Sequence, residues 1–367
     1  MEGILATYRI VAADRAEAEA RAVDVCIEQT VEVTPALCAD PVIADRTVAR
    51  LEGLEPSAPG RWDARVRFPE AVLSAELPQV VNCLYGNVSM KPGVRLVGVA
   101  LAPSFARLLA GPRHGIAGVR ALLGVPHRPL LMSALKPVGR TVAELASYAH
   151  AMAAGGIDLV KDDHGIANQA CSPFEARVEA CAAAVARANA ATGGRTLYCP
   201  TVTGPADEIL RRAEHARDAG AGGLLVSPLV TGLDAMRAVA ATTGLPVMAH
   251  PALAGAFFPH DDHGISPEVL LGTLMRMAGA DLVVFPSWGG RFPFTRETCA
   301  RLDAALKADL CGLAPALPVP AGGMTLDRVP AMLSVFGRDV VFLIGSALYE
   351  RSPDLVANAA YFRSLVS

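Results

Sequence analysis

The sequence predicts an α/β protein with two parts: a C-terminal (β/α)8 (TIM) barrel over residues 116–367 and, before it, an N-terminal α+β domain of ferredoxin-like type over residues 1–115. Three observations carry this. From about residue 128, short apolar runs alternate with Ala-rich helical segments, and eight such pairs can be counted. Eight β-then-α units over roughly 240 residues match the size of a closed barrel. Ahead of them, strand-like and helical runs follow without strict alternation, which suits a smaller α+β layer. A doubly wound open sheet would compete, but no GxGxxG follows the first strand.

In the first domain, residues 4–12 read as a strand and residues 15–28 as an Ala-rich amphipathic helix. Residues 54–60 are rich in turn formers, and residues 61–68 and 96–101 read as strands. The barrel strands are runs of Val, Leu, Ile and Met at 129–135, 157–161, 196–202, 223–227, 245–250, 281–286, 317–320 and 340–344. Helical segments fall between them at 142–154, 174–191, 206–219, 233–243, 267–278, 296–308 and 326–336. A last one, at 355–366, closes the chain.

Composition narrows the function classes. The 367 residues are 52% hydrophobic and 19% charged, as in a well-buried globular protein. A net charge of −3 and the lack of any basic run argue against nucleic acid. Eight cysteines, among them Cys38, are scattered with no CxxC pair, which predicts reduced thiols rather than zinc or disulfides. The start, Met1 to Arg9, has no basic segment leading into an apolar core, and no apolar run reaches the length of a membrane span. The expectation is a soluble, cytoplasmic protein with neither a nucleic acid nor a membrane as partner.

The chemistry gathers at Gly155–His164. A Gly-Gly turn leads into an apolar strand that ends in Lys161-Asp162-Asp163-His164. Barrel sites lie at the carboxyl ends of the strands. Pleating puts Lys161 and Asp163 on one face and Asp162 on the other. An internal ion pair would explain the charges; hard oxygen ligands there also suit Mg²⁺ or Mn²⁺, and His164 draws the preference towards softer divalent ions. Lys136 follows the first barrel strand, before Pro137, and is placed for acid–base work. His250 ends the fifth strand. Arg291 lies in a glycine-hinged loop after the sixth and suits an anionic substrate. Gly322 and Gly323 after the seventh strand, with Gly345 after the eighth, let backbone N–H groups approach a phosphate.

These residues, in this order, resemble the large subunit of ribulose-bisphosphate carboxylase (RuBisCO), and more closely the RuBisCO-like proteins (form IV) that share its fold without fixing CO₂. The resemblance covers most of the chain. It implies that Lys161 takes up CO₂ as a carbamate and binds Mg²⁺ beside Asp163. The family's glutamate is His164 here, so another divalent ion is in play. Lys136 matches the family's proton-handling lysine and His250 its strand-five histidine. The CO₂-steering lysine of the flexible loop is replaced by Arg291. Glu28 and Asn87 match positions that reach the partner's barrel, which implies a homodimer with a shared active site. The Thr-Trp phosphate grip of carboxylases is Val33-Thr34. Carboxylase activity is therefore not expected.

The family's shared chemistry is an enolate formed on a phosphorylated sugar. The resemblance points first to 3-oxo-isoapionate 4-phosphate, by decarboxylation or transcarboxylation with hydrolysis. It points second to methionine-salvage enolases or isomerases of methylthio-sugar phosphates, although the enolase branch has a lysine base where this chain has Asn87. A non-catalytic sugar-phosphate binder is the third expectation.

Overall fold

The computed structural model describes residues 3–34, 37 and 40–366; Cys38 lies outside them. The chain divides into two compact units. The first holds the residues up to Ala110 with Leu253–Ala278 and Ala308–Leu313. The second holds Gly111–Ala252, Gly279–Lys307 and the chain from Ala314 onward.

In the first unit β1 (Ile4–Val11), β2 (Arg50–Ala58), β3 (Arg61–Phe68) and β4 (Val94–Leu101) form an antiparallel sheet in the order β4-β1-β3-β2. Helix Arg15–Glu28 follows β1 and helix Leu77–Tyr85 precedes β4, giving the ferredoxin-like succession. A short later strand, β10 (Gly264–Ile265), pairs in parallel with β4. β1 buries Ile4, Ala6, Tyr8 and Ile10 at a period of two, as a half-covered strand should. Asp14 caps the first helix by accepting the Glu17 N–H at 2.9 Å.

The turn-rich reading of residues 54–60 needs correction, because β2 runs through most of it. Among the described residues β2 is an edge strand with β3 as its one neighbour, so Pro56 is tolerated, and the register shifts near Gly53 and Pro56 absorb the irregularity. The turn shrinks to Pro59 and Gly60.

The second unit is the barrel. All eight expected strands form: β5 (Leu130–Leu135), β6 (Leu159–Asp162), β7 (Leu197–Cys199), β8 (Leu224–Val226), β9 (Val247–Ala249), β11 (Leu282–Pro286), β12 (Leu317–Ala321) and β13 (Val341–Leu343). Parallel ladders run β13-β5-β6-β7 and β8-β9-β11-β12. The Val202 N–H joins them by donating to Leu225 O at 3.0 Å, and β13 packs beside β12 to complete the ring.

Alternate residues fill the interior: Leu130 and Met132, Leu159, Cys199, Leu225, Met248, Leu282 and Val284, Leu317 and Val319, Val341 and Leu343. Val119 and Leu123, from helix Gly115–Leu123, join this core. The Asp281 carboxylate ties that helix to the strands by accepting the N–H groups of His114, Gly115 and Val247.

Most flanking helices match expectation, and Thr141 and Glu144 close a capping box on helix Val142–Ala154. The segment 267–278 belongs to the first unit and is π-helical over Glu268–Leu274 before a final turn, Met275–Met277. Among the described residues no helix is long and apolar enough to cross a membrane.

Candidate active site

Strand phase decides what reaches the barrel mouth. Two residues beyond the last interior side chains come Lys136 (past Met132 and Ala134), Asp163 (past Lys161), Thr201, Ser227, His250, Gly323 and Gly345. The ring is polar at β5, β6 and β9, while at β12 and β13 it is bare backbone.

The charged half is closely connected. Lys136 Nζ forms an ion pair with Asp163 Oδ2. Asp163 Oδ1 accepts the Gly165 N–H at 3.0 Å and lies 3.3 Å from His164 Nδ1. His164 stacks on His250, with ring centroids 4.1 Å apart and planes 12° from parallel. Lys161 is 2% exposed and donates to the Asp162 carbonyl at 2.8 Å.

Electrostatics set the protonation states. Burial pulls the Lys161 amine down to about 8, with Lys136 adding and Asp163 opposing. Roughly one amine in ten is then neutral at pH 7, far more than for an ordinary lysine. Burial alone would raise the Asp163 carboxyl, but the Lys136 hydrogen bond, the Gly165 N–H and the two lysine charges hold it at about 2. Burial and the neighbouring Lys161 keep His250 neutral, well below the usual histidine range. His250 Nδ1 accepts the Ala252 N–H at 3.2 Å, so its proton sits on Nε2. Burial also holds His164 low; Asp163 opposes this, while Lys161, Lys136 and Arg291 add to it.

Asp162 points away from the mouth, into the helix layer. Fully buried, it pairs with the equally buried Arg177 at 3.1 Å. It also accepts the Tyr198 hydroxyl at 2.7 Å and the Thr201 N–H at 3.1 Å. The run's charges are thus paired, but not with each other as the sequence suggested: Asp162 pairs with Arg177 and Asp163 with Lys136, while Lys161 bonds a backbone carbonyl.

Arg291 donates its backbone N–H to Gly322 O at 2.8 Å, and its guanidinium lies 5.6 Å from the Phe292 ring centroid. Gly322 and Gly323 both sit at φ +91°, and a Cβ on Gly323 would meet the Arg291 backbone nitrogen at 3.0 Å. These two glycines are thus required by the turn and by the loop lying on it. Gly345 is different: a Cβ there would sit in ordinary contact, 3.5 Å from Lys136 Cε.

Glu28 and Asn87 stand together in the first unit. Asn87 Nδ2 donates to Glu28 Oε1 at 3.2 Å and to Glu32 Oε1 at 2.6 Å. Gln29 locks the two segments by donating to Asn82 O and Cys83 O and accepting the Val88 N–H.

The sequence reading missed Lys91, which pairs with Glu28 at 2.6 Å and Asp24 at 2.7 Å. Its signal was rarity: the chain holds only 4 lysines against 29 arginines. Three of them are Lys91, Lys136 and Lys161. An amine can shed its proton where a guanidinium cannot.

Among the described residues no group of three or more His, Cys, Asp or Glu side chains is placed to hold a metal. Asp163 and His164 supply two donors. A carbamate on Lys161 would supply the oxygen donors still lacking, and the amine's lowered pKa favours that modification. The donor set fits a divalent ion on that condition.

A barrel with a lysine-aspartate centre at its mouth, following a ferredoxin-like domain in the chain, defines a class. The family model for the catalytic domain of the ribulose bisphosphate carboxylase large chain matches residues 115–292. The chain is 43% identical over 367 residues to ribulose bisphosphate carboxylase-like protein 1 of Rhodopseudomonas palustris, covering 100% of this chain and 98% of that one. It is 38% identical over 364 residues to the 5-methylthioribulose-1-phosphate isomerase of Rhodospirillum rubrum, covering 99% and 96%. The octameric ribulose-1,5-bisphosphate carboxylase/oxygenase of Pyrococcus horikoshii superposes with a TM-score of 0.91 at 27% identity, covering 100% of this chain and 87% of that one. The chain belongs to the RuBisCO large-chain family. Within it, this is a RuBisCO-like, non-carboxylating protein.

Proposed function

We propose that this protein shifts a proton at the carbon beside a carbonyl of a phosphorylated keto sugar, with 5-methylthioribulose 1-phosphate and its chemical relatives as the first substrate class. The observation that carries the reading is Asp163 held between Lys136 and His164 directly above the buried Lys161. The likeness to the Rhodospirillum 5-methylthioribulose-1-phosphate isomerase favours a methylthio-sugar phosphate. This reverses the order that the sequence alone suggested. The second reading, decarboxylation of 3-oxo-isoapionate 4-phosphate, keeps the support of the Lys-Asp-Asp-His run and of Arg291, whose guanidinium suits a carboxylate as well as a phosphate.

Carbamylated Lys161, Asp163 and His164 would hold the divalent ion, which supplies Lewis-acid polarisation of the substrate carbonyl. Lys136 Nζ takes the proton as the neutral amine and returns it as the ammonium, whose position Asp163 fixes. Neutral His250 offers its Nε2 proton as a hydrogen-bond donor to the substrate's oxygens. Arg291, with the backbone at Gly322, Gly323 and Gly345, holds the anionic end. Glu28 and Asn87 complete the site of a partner subunit in a homodimer.

The test is incubation with 5-methylthioribulose 1-phosphate in D₂O with Mg²⁺ or Mn²⁺ and bicarbonate, followed by NMR, beside a CO₂-release assay on 3-oxo-isoapionate 4-phosphate. Deuterium uptake that is lost at least about a hundredfold in Lys136→Met supports the first reading. CO₂ release without exchange supports the second. Binding without either reaction leaves a sugar-phosphate binder and sinks the catalytic reading.

A further inference from the structure

We propose that Tyr349 is a positioning residue for Lys136, its hydroxyl clamping the strand end that carries the lysine. Tyr349 stands on the short helix Ser346–Glu350, just past β13. The ladder between β13 and β5 ends at Leu343 and Met132. Beyond it, the β5 backbone on that side has no strand partner among the described residues. The Tyr349 hydroxyl fills the gap: it donates to Ala134 O at 2.9 Å and accepts the Lys136 N–H at 3.1 Å. One hydroxyl thus satisfies the two backbone groups flanking Leu135 that would otherwise be left unpaired at cost. Tyr148 packs edge-on against the ring, 5.6 Å between centroids at 73°, and fixes its direction. Burial raises the phenol's pKa, so the hydroxyl keeps the proton that it donates to Ala134 O. With the backbone pinned, Lys136 Nζ is delivered to Asp163.

The clamp matters for catalysis only if Lys136 handles the proton, as proposed above, so the experiment has an arm that does not depend on activity. Growth on ¹³C,¹⁵N-lysine labels only 4 side chains, and Lys136→Arg assigns the Lys136 ε-methylene signal. In Tyr349→Phe, which keeps the ring, the Lys136 signal moves towards that of free lysine while those of Lys91 and Lys307 stay in place, and the unfolding midpoint falls only by the few degrees that two unpaired backbone groups cost. With 5-methylthioribulose 1-phosphate, kcat falls about tenfold or more and KM stays within about twofold, as expected for a misplaced reacting group. An unmoved Lys136 signal in folded Tyr349→Phe overturns the clamp. So does a fall in kcat matched by a general shift of all four signals, which would mark loss of fold. If the wild type turns over neither substrate, the functional reading fails and the lysine signal alone decides the clamp.

Discussion

At the scale of single residues, Lys161 shows how burial creates reactivity. Its amine is pulled down to about 8 because the barrel interior disfavours the ammonium, with Lys136 adding to the effect. Only the neutral amine attacks CO₂, so the ¹³C carbamate signal formed with labelled bicarbonate should rise through about pH 8 and be missing in Lys161→Ala. A signal that climbs only above pH 10, where an ordinary lysine titrates, would show that burial is not setting the amine. The linkage has a matching sign. Between about 8 and 10.5 the unfolded chain binds more protons at this site than the folded one, so Lys161 makes folding stability rise with pH across that window. Lys161 and Asp163 were legible as a pair from strand phase. Stacking of His164 on His250 was not, because β6 and β9 are brought together only by ring closure.

At the scale of elements, β6 works through both faces. Its mouth side carries Lys161 and Asp163, and its helix side carries Asp162 against Arg177, Tyr198 and Thr201. Arg177→Met strands a buried carboxylate and should cost about 3–5 kcal/mol in urea unfolding. Adding Asp162→Asn should recover part of that loss; if the two costs simply add, the pair is not coupled. The Arg291 loop makes a second prediction. A Cβ on Gly290 would meet Gly322 O at 2.1 Å. Gly290→Ala should therefore lift the loop off the β12 turn and raise KM for the phosphorylated substrate about tenfold, with the unfolding midpoint little changed. An unchanged KM would remove Arg291 from substrate binding. The sequence marked Gly322 and Gly323 as phosphate contacts; the structure shows them seating the loop.

At the scale of the whole molecule, the first unit carries Glu28, Asn87 and Lys91 as one bonded cluster, and the barrel carries the lysine-aspartate centre. If the two meet across a homodimer, inactive Asn87→Ala and Lys161→Ala variants should complement each other. Random reassortment would make half the dimers mixed, each with one intact site, and restore about a quarter of wild-type activity. No recovery after unfolding and remixing would place both clusters in separate functions.

The sequence by itself determined the eight strands, the helices between them and the polar ends of β5, β6 and β9, because local hydrophobic periodicity and strand phase are written residue by residue. It also carried the family's Gly-Gly turn and Lys-Asp-Asp run. Hidden from it were the edge position that makes β2 a strand despite Pro56, the partner of Asp162, and the Tyr349 hydroxyl over Lys136. Each of these depends on segments far apart in the chain, 15 residues for Asp162 and Arg177 and 213 for Lys136 and Tyr349. Only tertiary structure decides them, since a buried polar group takes whichever partner the closed barrel brings within reach.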